Sequence, residues 1–169
     1  MKSTTKINIY LVDNDVLFLD DFSEQFACEH LHILYTFSSV QKFLANLKEI
    51  DNNYFSIVII NDMIISHGLN TKSVVEILPM IKNIDKETSV IVLTDNYNRE
   101  LKLSASDLLP DAYIKNDNML YFKLAPTINR IICNYELKKR KLDFRIAIFI
   151  AIAVIIITII QIITASIIS

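Results

Sequence analysis

The chain has 169 residues, enough for one domain of ordinary size and a short appendage. Its net charge of −2 argues against general nucleic-acid binding. A single glycine, Gly68, excludes Gly-rich phosphate loops and dinucleotide fingerprints, and the distant Cys28 and Cys133 read as free thiols of a reducing compartment.

Residues 6–12, KINIYLV, predict a first strand that ends at Asp13-Asn14-Asp15. Residues 16–30 follow as a helix, with Leu17, Phe18, Phe22 and Phe26 at helical spacing. LHILYTF, 31–37, predicts a short second strand. SVQKFLANLKEI, 39–50, predicts a helix with Val40, Phe43, Leu44 and Leu47 on one face and Ser38 or Ser39 as its cap. YFSIVIIND, 54–62, is a third strand. After a loop holding Gly68, residues 72–84 form a helix in which Pro79 favours a kink. SVIVLT, 89–94, is a fourth strand; residues 99–109 a short helix; DAYIK, 111–115, a fifth strand; and 119–142 a last long helix.

The hydrophobic fraction, 52%, exceeds the ordinary range of about 45–50%, and the excess sits after Arg145. Residues 146–169, IAIFIAIAVIIITIIQIITASIIS, carry no charge and suffice to cross a bilayer as a helix at about 1.5 Å per residue. A lone spanning segment must be helical, because lipid offers its backbone no other partner. Lys138, Lys139, Arg140, Lys141 and Arg145 precede it, a cluster that keeps this end cytoplasmic and attracts anionic headgroups. Acidic residues interrupt the first apolar run too early for a signal peptide. The expected plan is a domain over 1–137, a basic juxtamembrane segment over 138–145 and a transmembrane helix over 146–169. It describes a tail-anchored, single-pass protein of the cell inner membrane with its domain in the cytoplasm.

Five apolar strands alternating with helices predict the α/β class: a five-stranded parallel sheet with flanking helices, plus one C-terminal transmembrane helix. Sites in such sheets form beyond the carboxyl ends of the strands. The polar residues there are Asp13, Asn14 and Asp15, then Asn61 and Asp62, then Thr94 and Asp95, then Lys115. Oxygen ligands from separate strands suit Mg²⁺, and a lysine and a hydroxyl suit a phosphoryl group carried on an aspartate. Adjacent strand residues point to opposite faces, so only one of Asn61 and Asp62 can join this site.

Over residues 6 to about 137 the sequence resembles the response-regulator receiver domain of two-component signalling. IYLVDNDVLFLDDF resembles the family's opening strand and acidic pair, VIVLT its fourth strand ending in the switch residue, and DAYIK its fifth strand with the lysine. The resemblance implies a flavodoxin-like fold, Asp13, Asn14 and Asp62 as the Mg²⁺ set, and Thr94 and Lys115 as phosphoryl contacts. Asn14 replaces an acidic ligand, which weakens metal affinity, and Lys115 comes one residue early after the strand tyrosine.

The acceptor position has two registers. One makes it Asn61, with Ser56 at the polar start of the strand and Met63 two residues beyond. An amide accepts no phosphoryl group, so the domain would be a pseudo-receiver. The other makes it Asp62, with Ile65-Ser66 in place of an apolar-Pro pair and a smaller insertion before VVEIL, and it is the one favoured here. It requires the Asp62 carboxylate to face Asp13 and Lys115, with Asn61 turned towards a helix. His30, His32 and His67 lack partners at metal-ligand spacing.

Two functions follow, neither enzymatic. One is a membrane-held receiver phosphorylated on Asp62 by a histidine kinase. The other is a pseudo-receiver scaffold that recruits a protein partner to the membrane. A tethered hydrolase is a third and lacks a nucleophile–base pair. The last helix carries Tyr121, Leu124, Ile128, Ile131, Ile132 and Tyr135 as a core stripe, and an Ile-rich span allows homo-oligomers without a GxxxG pattern.

Overall fold

Branched apolar runs make the strands, and the structure, a computed structural model, describes residues 6–26, 32–49, 54–62, 74–95 and 109–168. The elements are β1 (Ile7–Val12), α1 (Val16–Phe26), β2 (His32–Phe37), α2 (Val40–Glu49), β3 (Phe55–Asn61), α3 (Val74–Ile84), β4 (Ser89–Thr94), β5 (Ala112–Lys115) and α4 (Leu120–Ile168). All strand pairs are parallel, in the order β2-β1-β3-β4-β5. This is the expected five-stranded parallel sheet. The short helix expected over 99–109 falls almost wholly outside the described residues.

Every residue of β1 and β4 is buried, as for strands covered on both faces. Tyr10, Val12, Val58, Ile60, Val90 and Val92 form one cluster with Val40, Phe43, Leu44 and Leu47 of α2 and with Val74, Ile77, Leu78 and Ile81 of α3. The alternate residues, among them Ile9, Leu11, Ile57, Ile59, Ile91 and Leu93, are equally buried and belong to the opposite face. On that side α1 meets the start of α4: the Phe22 and Tyr121 rings lie 5.6 Å apart, and the Tyr121 hydroxyl donates to Asp21 Oδ2 at 3.2 Å. Burial, reinforced by the Asp21 carboxylate, pushes the Tyr121 phenol up to about 12.

One detail differs from expectation. Leu17 is 80% exposed, whereas Leu19 and Phe22 are the buried residues of α1. Leu17 and Leu19 are two residues apart, about 200° on a helix of 3.6 residues per turn, so they cannot share a face. The helix expected over 72–84 is α3, Val74–Ile84, with Pro79 inside it.

The chain divides into two compact units, Met1–Asn129 and Arg130–Ser169. Within the first, Leu120, Leu124 and Ile128 of α4 are buried. The second is helical, and its isoleucines from Ile146 to Ile163 are exposed. The two helices expected over 119–142 and 146–169 are thus one element, which is long and apolar enough to cross a membrane.

Candidate functional site

The strand ends are placed by register. Val12 pairs with Ile60, Asn61 with Leu93, and Thr94 with Lys115. One step further puts Asp13 level with Asn61, and Asp62 level with Thr94. The backbone extends the ladder that far: the Asp13 N–H donates to Phe37 O at 3.1 Å and the Asp62 N–H to Leu93 O at 2.9 Å.

Strand alternation then divides the polar residues into two groups. On the face of Leu11 and Ile59, Asn61 Nδ2 donates to Asp13 Oδ2 at 2.8 Å. The other oxygen, Asp13 Oδ1, accepts the Asp15 N–H at 2.9 Å. On the face of Ile60 and Val92, the Thr94 hydroxyl donates to Asp62 Oδ2 at 2.6 Å. Asp13, Asp62 and Thr94 are all buried, while Asn61 is partly so.

The orientation expected of Asp62 is therefore corrected. Asn61 faces Asp13, and Asp62 faces Thr94. The reason is that Asn61, not Asp62, shares the level and face of Asp13 once β3 is paired with β1. Lys115 ends β5 opposite Thr94 with an exposed side chain. Its charge joins the stronger hydrogen bond from Lys123 in lowering the pKa of Asp117. Asn14 and Asp95 are exposed.

Asp15 has a role beyond its place in the acidic cluster. Its Oδ1 accepts the N–H of Leu17 at 3.0 Å and of Phe18 at 3.3 Å, and its carbonyl accepts the N–H of Leu19. It caps α1, and an aspartate just before an apolar helical run is the signal for that. Ser39 caps α2 in a different way. Its carbonyl accepts the Phe43 N–H, and its hydroxyl donates to Gln41 Oε1 at 2.8 Å.

A divalent cation of the kind the receiver resemblance implies needs convergent oxygens. The expected set of Asp13, Asn14 and Asp62 does not supply them. Asp13 and Asp62 lie on opposite faces, both Asp13 oxygens accept protein N–H groups, and Asn14 is exposed. No group of three metal-ligating side chains occurs among the described residues. An amide donor sits where a cation would have to neutralise Asp13. Of the histidines, His30 and His67 lie outside the described residues, and His32 opens β2.

No family model matches the sequence, and no curated protein matches it. Solved structures do. A response regulator receiver domain protein from Clostridium thermocellum is similar at a TM-score of 0.63 and 21% identity, over 78% of this chain and 98% of that one. This is a receiver fold. The BeF3-activated DrrB receiver domain is similar at a TM-score of 0.57 and 27% identity, over 76% of this chain and 98% of that one. TrrA from Thermotoga maritima, solved with Mg²⁺ and beryllofluoride, is similar at a TM-score of 0.57 and 18% identity, over 74% and 98%. The last two carry beryllium fluoride. In the present receiver fold an amide, Asn61, meets Asp13 at the end of β3.

Proposed function

We propose that this chain is a receiver-fold adaptor at a membrane, which signals by recruiting a protein partner rather than by carrying phosphate. The receiver fold supports a role in two-component signalling. One observation carries the finer reading: Asn61 Nδ2 lies 2.8 Å from Asp13 Oδ2. The residue level with Asp13 at the end of β3 is an amide. It cannot form an acyl phosphate, and its N–H already satisfies the carboxylate that would hold a metal. The long apolar helix supports the tether, with residues 146–169 as the span and the domain in the cytoplasm at the inner face.

The full chain, treated with Mg²⁺ and either acetyl phosphate or beryllofluoride, is expected to gain no acyl-phosphate mass and to keep its amide resonances unchanged. Modification of the chain at millimolar Mg²⁺ overturns the adaptor reading.

A second reading is favoured by the Thr94 hydroxyl, 2.6 Å from Asp62 Oδ2. In it, Asp62 accepts phosphate from a histidine kinase, Thr94 turns its donor to the phosphoryl group, and Lys115 supplies a point charge. Acyl-phosphate mass that is lost in Asp62→Asn selects this reading over the first.

A further inference from the structure

Between Glu136 and Arg145 stand five cations and two carboxylates, a net charge of +3 in a chain whose total is −2. The rest of the chain therefore sums to −5. The segment lies wholly within α4, so side-chain directions follow from 3.6 residues per turn. Lys138, Lys141 and Arg145, at spacings of three and four, fall in one stripe. The counter-charges do not. Arg140 Nη2 lies 3.7 Å from Glu136 Oε2 on the far side of the helix, and Asp143 is on that side too. Leu137 and Leu142 flank the stripe, one on each edge, 55% and 59% exposed. The uncharged apolar run begins at the next residue, Ile146.

We propose that the Lys138–Lys141–Arg145 stripe binds the phosphodiester headgroups of anionic phospholipids. This rests on the reading of α4 as a membrane span. A cationic stripe edged by exposed leucines fits a bilayer surface better than a dissolved anion. The leucines and the lysine and arginine stems reach the level of the glycerol backbone, while the charged tips reach phosphate. Anionic lipid attracts each nearby cation with a free energy worth about a fivefold preference. The −5 of the remaining chain is repelled by the same surface, and within the segment Glu136 and Asp143 offset Lys139 and Arg140, so the net attraction falls to the three cations of the stripe.

The test uses the full chain in phosphatidylcholine bilayers containing about one-fifth phosphatidylglycerol. Spin-labelled lipids of each kind report which headgroup is immobilised at the protein. The expected result is at least about a fivefold preference for phosphatidylglycerol. It should vanish at high salt and in Lys138→Gln/Lys141→Gln/Arg145→Gln, and persist in Lys138→Arg/Lys141→Arg. A preference unchanged in the triple variant overturns the proposal, and so does its removal by soluble glycerophosphoglycerol, which marks a phosphate pocket instead of a surface. Carbonate extraction separates the two levels. A chain that resists extraction but shows no preference refutes the stripe and leaves the tether standing. A chain that is extracted refutes the tether, and the stripe with it.

Discussion

The two faces of the sheet end in the same chemistry with opposite consequences. On one, Asp13 takes a proton donor from Asn61; on the other, Asp62 takes one from Thr94. Both are buried carboxylates that accept from neutral side chains. The difference lies in the donor. The Asn61 amide stands where a second carboxylate would be needed to share a metal with Asp13, so it removes a ligand and supplies a donor at once. Thr94 contributes a hydroxyl, which can turn to another acceptor without leaving its place. One pair is closed and the other can be redirected.

The largest expected effect comes from breaking the second pair. Thr94→Val keeps the shape and deletes the hydroxyl, so buried Asp62 loses a charge-assisted hydrogen bond. The cost should be about 1.5–3 kcal/mol of folding free energy, read from urea unfolding of the full chain in micelles. A loss below about 0.5 kcal/mol would mean that water serves Asp62 equally well.

Breaking the first pair should cost less and depend on pH. Asn61→Asp sets a carboxylate level with Asp13 on the same face. Like charges raise the pKa of one of them above its unfolded value, near 3.9. The folded state then holds the extra proton more tightly than the unfolded state. Stability relative to the parent is therefore intact below about pH 4 and falls as pH rises through the raised value. At neutral pH the penalty is about 1–2 kcal/mol, a tenfold change in proton affinity being worth about 1.4 kcal/mol. Millimolar Mg²⁺ should restore most of it, since the variant gains two convergent carboxylates. A variant that shows no pH-dependent loss and no response to Mg²⁺ would place Asn61 away from Asp13.

How much of this is legible in the sequence depends on distance along the chain. The strands are legible because branched apolar runs such as Ile57–Ile60 admit little else, and the order of Asp13, Thr94 and Lys115 points to one end of one sheet. The inward face of α1 is lost at Leu17 when apolar residues are counted without their angles. Asp15 carries a local capping signal that its place in an acidic cluster obscures. The choice between Asn61 and Asp62 is not legible at all from β3. Period-two alternation says that the pair splits between faces. Which member meets Asp13 depends on the pairing of β3 with β1, across 48 residues of chain.

The smallest effect should come from exchanging the members of the first pair. In Asp13→Asn/Asn61→Asp the amide and the carboxylate swap strands and keep their level and face. The asparagine introduced after β1 can still accept the Asp15 N–H through its Oδ1. Its amide can donate to the carboxylate introduced on β3, the mirror of the parent's bond. One charge remains, and it keeps a donor. The double variant should lie within about 0.5 kcal/mol of the parent and lose the pH and Mg²⁺ responses of Asn61→Asp alone. If the exchange instead costs as much as Asn61→Asp by itself, the penalty belongs to burying a carboxylate on β3 and not to its meeting Asp13. That outcome would remove the reason for treating Asn61 as the residue that closes this site. Recovery on exchange would show that the pair tolerates one charge and rejects two, the property that distinguishes this strand end from one built around a cation.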